Sequence, residues 1–220
     1  MNRAKRLLAT TACLLATASV AGFGATSAFA NWQIEGVTIS ESVEVEAESD
    51  GEEFGFLIPA LNIQLVFKKL TYDKVSLVKS SATTSELFLL TEGSVYRISP
   101  KELIKNCTPG GLTFDTKGNL FLHNGKTYKR IEGLSGQPMT LTTYSPFCPL
   151  PEEVEVVGSI VLEDASGSFS NEAVSHLVRQ APESLFPGQL FFGENKMSFD
   201  GRWIEKLKGK EAGKKWSGTI

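Results

Sequence analysis

From Val43 to Glu48 the chain reads Val-Glu-Val-Glu-Ala-Glu, apolar and acidic residues in strict alternation. A helix would scatter such a pattern over its whole circumference, whereas a strand puts the apolar residues on one face and the acids on the other. Leu61-Asn62-Ile63-Gln64-Leu65 repeats the period. Further runs rich in β-formers follow at 76–79, 86–91, 95–98, 112–114, 119–123, 127–131 and 139–144, divided by Gly, Pro, Ser and Asn. Runs of this kind predict a mainly β protein, an antiparallel sandwich or barrel-like meander.

Two turns are specified locally. Asn124-Gly125 joins the strand ending at His123 to the one starting at Lys126, since Asn-Gly suits a turn whose two central residues need positive φ. That register sets Phe121 opposite Tyr128. Asp200-Gly201 reads the same way and sets Ser198 opposite Trp203. One α-helix is predicted at about 170–181, in the C-terminal half. Ser170 caps it, Glu172 lies in its first turn, Ala173, Val174, Leu177, Val178 and Ala181 form an apolar stripe, and Pro182 stops it. The opposite face would expose His176.

Residues 1–30 have the order of a signal peptide: Arg3, Lys5 and Arg6, then an apolar and small-residue run, then Ala28-Phe29-Ala30. Thr10, Thr11, Thr17 and Ser19 dilute the run too much for a membrane anchor, so cleavage is expected between Ala30 and Asn31 with no transmembrane span left behind. The leader removes three basic residues and no acid, which takes the formal charge from −3 to about −6. That sign speaks against a nucleic-acid partner. The remainder, 31–220, fits a single β-rich domain, with two sub-halves meeting near 149–153 as a variant of it, and a loose basic tail at 206–220. Cys13 leaves with the leader, and Cys107 with Cys148 then makes an even pair in an exported chain, which predicts a disulfide.

No catalytic, cofactor-binding or metal-ligating set is assigned. His123 ends a strand beside a turn and His176 belongs to the wet helix face, so substituting either should cost no more than about 0.5 kcal/mol. Glu172 and His176, four apart on that helix, make a side-chain pair rather than a metal site. A Gly-x-Ser-x-Gly nucleophile turn is absent, and Ser166-Gly167-Ser168 reads as loop and cap chemistry. Glu44, Glu46 and Glu48 mark a solvated edge strand guarded by charge. Lys206, Lys208 and Lys210 concentrate positive charge near the other end. These six residues are the candidate interaction surfaces. Together the features describe a periplasmic or secreted, non-enzymatic binding, assembly or envelope accessory protein that needs no cofactor, its partner a protein or polymer of the envelope or extracellular space. The alternative is an exported hydrolase using paired carboxylates.

Overall fold

The alternating runs become strands: β1 (Asn31–Ile34), β2 (Val37–Thr38), β3 (Val43–Ser49), β4 (Phe54–Ile58), β5 (Ile63–Leu77), β6 (Thr83–Arg97), β7 (Glu102–Leu103) and β8 (Pro109–His123). Beyond them come β9 (Lys126–Gly133), β10 (Met139–Thr143), β11 (Glu153–Asp164), β12 (Ser175–Gln180), β13 (Gln189–Phe192), β14 (Asn195–Asp200), β15 (Arg202–Leu207) and β16 (Trp216–Thr219). The computed structural model describes residues 31–220 except 80, 134–138 and 144–147, and gives the backbone alone at 72–74, 88, 114 and 139–143. The expected leader, Ala30 included, lies outside the described residues.

The protein is mainly β and folds as an eight-stranded antiparallel barrel with extra strands. Four staves are single long strands: β5, β6 and β8, with 15 residues each, and β11, with 12. Each of the other four staves is two short strands end to end, β3 with β4, β9 with β10, β12 with β13, and β15 with β14. One end closes through β3, β5, β6, β8, β9, β11, β12 and β15. The other closes through β4, β5, β6, β8, β10, β11, β13 and β14. Closure removes the open sheet edges that would otherwise invite aggregation.

Alternation decides what fills the lumen. The second ring is packed with side chains such as Phe54, Phe56, Leu65, Phe67, Phe192 and Phe199, all buried. Phe56 meets Phe67 edge-on at 6.0 Å and Phe199 at 5.0 Å between ring centroids. Each such side chain contributes about 2–3 kcal/mol by leaving water. The outer faces are wet and charged, with Glu44, Glu46, Glu48, Lys117, Arg130 and Glu132 exposed. This is the reverse of a membrane-spanning barrel, which is apolar outside and polar within. Among the described residues no helix is long and apolar enough to cross a membrane.

Several local expectations are corrected. No helix forms at 170–181: residues 175–180 are β12, with His176 and Val178 turned into the lumen. An isolated helix of this length is marginal, and the gap in the ring offers a ladder to β15 along 175–179 and to β11 along 178–180. Asp200-Gly201 makes no hairpin either. β14 pairs with β4 and β13, β15 with β3 and β12, so Ser198 lies opposite Leu57 and Trp203 opposite Ser49 and Val178. Gly201 is instead the point where one stave passes from ring to ring, and a Cβ there would stand 2.7 Å from Phe54 and 2.8 Å from Phe199. β3 is an interior stave between β5 and β15 and not an edge. In place of a loose basic tail, 206–220 completes β15, makes a short 3-10 turn at Gly209–Glu211 and ends in the buried strand β16. The segment 149–152 connects β10 to β11, neighbours in one wall.

β16 pairs with β1, and β1 with β2, in a small sheet against the first ring, where Trp32 and Trp216 lie 5.5 Å apart. Cys107, in the β7–β8 connection, is bonded to Cys148, just before β11, with Cα atoms 4.5 Å apart. The bridge closes a sequence separation of 41. A Cys107→Ser, Cys148→Ser double variant should therefore lose about 2–4 kcal/mol, read as a lower urea midpoint.

Candidate functional site

Inside the first ring the apolar packing is interrupted by charge. Lys129 on β9 is fully buried, and its Nζ donates to Glu205 Oε1 at 2.6 Å and stands 3.2 Å from Glu86 Oε1. Glu205 Oε1 also accepts the indole N–H of Trp203 at 2.9 Å, and Glu86 Oε1 accepts the Thr84 hydroxyl at 2.6 Å. The Phe169 ring lies 5.6 Å from the ammonium. Gly118 makes the room, because a Cβ there would collide with Thr84 Oγ1. Burial works to lower the Lys129 ammonium, yet the Glu205 and Glu86 carboxylates outweigh it and hold the ammonium above the ordinary lysine value. Burial pushes the Glu86 carboxyl up; Lys129 pulls it back and Glu205 adds to the rise.

A second polar group sits toward the capping sheet. His176 Nδ1 is 2.5 Å from Asp164 Oδ2, and Nε2 donates to the Trp216 carbonyl at 2.9 Å. A carbonyl only accepts, so Nε2 carries hydrogen and one proton lies between Nδ1 and the carboxyl. Phe169 stacks on the ring at 5.7 Å and Trp216 meets it edge-on at 4.3 Å. The imidazole thus ties β11, β12 and β16 together and is 0 % exposed, against the expectation of a surface histidine.

The acidic and basic clusters face each other on adjacent staves. β3 pairs with β15, and Glu48 is ion-paired with Lys206, Glu41 with Lys210. Arg202 holds Asp50 and Glu52 at 2.8 and 2.7 Å. Glu44, Glu46 and Lys208 remain exposed and without an ion pair among the described residues.

One further feature lies at the barrel's waist. Between β12 and β13 the chain leaves the wall at 181–188, and Phe186 anchors this excursion against Phe121, His123 and Tyr128, at 5.5, 4.9 and 4.9 Å between ring centroids. Phe121 lies opposite Tyr128 across the Asn124-Gly125 hairpin, as the turn chemistry requires, with the rings stacked at 5.8 Å. The excursion roofs a cavity of about 120 Å³ over β11, β13 and β14. Gly158, at φ 116°, lets the returning chain in, because a Cβ there would collide with the Gln189 carbonyl.

The chain was compared with family models, with curated proteins and with solved structures, and it matches none of them. The lumen trio was the feature sequence reasoning missed, although it left a signal. Thr127-x-Lys129-x-Ile131 and Trp203-x-Glu205-x-Leu207 each place a charge on the dry face of a strand. Charges so placed are almost never buried unless paired.

Proposed function

We propose that the protein works outside the cytoplasm, periplasmic or secreted, as a non-enzymatic binding, assembly or envelope accessory module that meets its partner with its outer wall. One observation carries this reading: the lumen is filled, and its ionisable groups are spent on one another. The alternative, a hydrolase with paired carboxylates, needs two acids facing a substrate cleft. Glu86 and Glu205 do face one another, but across Lys129 and with side chains 1 % and 3 % exposed, so no substrate reaches them. The disulfide suits an oxidising compartment.

The expected partner is a protein or polymer of the envelope or extracellular space. Glu44, Glu46 and Lys208, the unpaired charges of the β3–β15 wall, are the groups best placed to meet it. Complementation of a deletion strain tests this, with a thermal melt beside it to separate misfolding from lost function. Glu44→Lys with Glu46→Lys should fold and lose the phenotype, while His123→Ala should fold and keep it. The reverse result would sink the proposal. Intact mass of the exported protein should correspond to a chain starting at Asn31.

A further inference from the structure

Lys129 and Glu205 reach each other across the lumen from staves that are not neighbours, since β11 and β12 stand between β9 and β15 on the shorter way round the ring. An amine and a carboxyl are thereby held as two reactants are held. Lys129 Nζ is 2.6 Å from Glu205 Oε1, so the carboxyl carbon, one bond further on, is close to the near-attack range of about 3–3.5 Å. The Trp203 indole N–H donates to the same oxygen at 2.9 Å, where it would stabilise the negative charge that grows as a nucleophile adds to the carbon. A proton carrier is also in place. Glu86 Oε1 stands 3.2 Å from Nζ, and burial is the first cause of its raised carboxyl pKa, which equips it to take a proton and give it back. The three side chains are 1–3 % exposed and the Phe169 ring lies 5.6 Å from Nζ, so bulk water is kept from the group and hydrolysis has no ready reagent.

We propose that Lys129 and Glu205 condense after folding into an intramolecular amide that ties β9 to β15 through the lumen. The ion trio is the reactant state. A proton passes from Nζ to a carboxylate, which cancels a charge pair that a dry interior solvates poorly, and the freed lone pair adds to the Glu205 carboxyl carbon. The two carboxylates that hold the ammonium proton are the groups that receive it. The C–N bond forms and the bond from that carbon to Oε2 breaks. Of the three ammonium hydrogens, one stays on the amide nitrogen and two leave with Oε2 as water, Glu86 carrying protons from the nitrogen to the departing oxygen. Nothing is oxidised or reduced. The product joins residues 76 apart and, unlike the Cys107–Cys148 bridge, survives a thiol reductant. The inference goes beyond the binding-module reading and does not rest on it.

Wild-type protein, isolated after export, reduced and denatured, is weighed by intact-mass spectrometry and then digested with trypsin. It should be one water lighter than the sequence from its first residue onward. The digest should hold a branched peptide joining 127–130 to 203–206, because trypsin does not cut after an acylated lysine. Full mass, with 127–129 and 203–206 released separately, overturns the bond. Loss of the same water without the branch, as a cyclic imide at Asp200-Gly201 gives, overturns it as well. Lys129→Met should weigh the full amount, and a water still missing there places the loss elsewhere and overturns the assignment. Glu86→Gln keeps the shape and removes the proton carrier, so it should condense at least about 100-fold more slowly, read as mass against time after a pulse of synthesis, with a melt to show that it folds. Condensation of Glu86→Gln at the wild-type rate overturns the part given to Glu86. The wild-type mass and digest decide the bond itself whether or not either variant folds. Stability comparisons of the ion trio refer to protein whose mass shows the water still in place.

Discussion

Replacing Lys129 by Met should lower stability by about 3–5 kcal/mol, because the change leaves two carboxylates in the lumen with no cation between them. Glu205 would keep the Trp203 indole N–H and Glu86 the Thr84 hydroxyl, but neither donor carries charge. The loss should appear as a drop in the urea midpoint, followed by the emission of the buried Trp32, Trp203 and Trp216. Taking the charges out together should behave differently: Glu86→Gln, Lys129→Met, Glu205→Gln should recover most of the loss, since a well-packed uncharged replacement of a buried ion group is often neutral. If Lys129→Met alone is as stable as the wild type, the trio contributes nothing to the fold.

The same trio predicts a pH dependence whose sign follows from Glu86. Its carboxyl is raised above the ordinary value of 4.5 in the folded protein, first of all by burial, so the native state holds a proton there that the unfolded chain releases. That contribution is fully present below 4.5 and fades as pH climbs toward the raised value. Stability should therefore fall with rising pH by more in the wild type than in Glu86→Gln, measured as midpoints from about pH 4 to about pH 8. Parallel curves would show that Glu86 takes no part.

His176→Ala should cost about 3–5 kcal/mol, in contrast to the near-neutral substitution its sequence position suggested. The variant strands the Asp164 carboxyl in a site 2 % exposed and leaves the Trp216 carbonyl with the Ala173 N–H alone, at 3.2 Å. Among the described residues the Asp164 carboxyl then keeps only the backbone N–H of Ser166, at 2.9 Å. Asp164→Asn, which preserves the shape and removes the charge, should cost less. Hydrogen exchange should locate the damage in β16 first, because the imidazole is that strand's side-chain tie to the barrel wall. A melt of His176→Ala coinciding with the wild type would return this histidine to the surface.

The readable parts of the fold were those set by neighbours in sequence. Asn124-Gly125 fixed a two-residue turn, and with it the pairing of Phe121 and Tyr128, because the register of such a hairpin depends on nothing further away. The strands and their antiparallel sense followed from period two, but their lengths did not. The runs at 86–91 and 95–98 are one strand, β6, and Gly93 within it marks close packing, since a Cβ there would collide with Pro109. At 173–181 helical and strand periods both fit. The strand reading requires His176 on the dry side, and what makes that tolerable is a carboxyl 12 residues away and a carbonyl 40 away. Asp200-Gly201 failed for a similar reason: two residues cannot say whether a strand turns back or runs on into another ring. The candidate interaction residues were visible as charge, while the pairing of Glu48 with Lys206 across β3 and β15 depended on a closure that no local pattern encodes.

The pairing of Asn31 with Thr219 spans 188 residues, and it sets an order of events in time. A chain delivered N-terminus first presents β1 before any other described strand, and β1 must wait for β16, the last of them, before the cap can seal the first ring. Until then Trp32 has no Trp216 to pack against, and His176 lacks the carbonyl that its Nε2 donates to. So distant a contact makes for slow completion and gives little reason to fold early. On the export route proposed above, that delay is an asset: the cap that finishes the molecule closes only on the far side of the membrane.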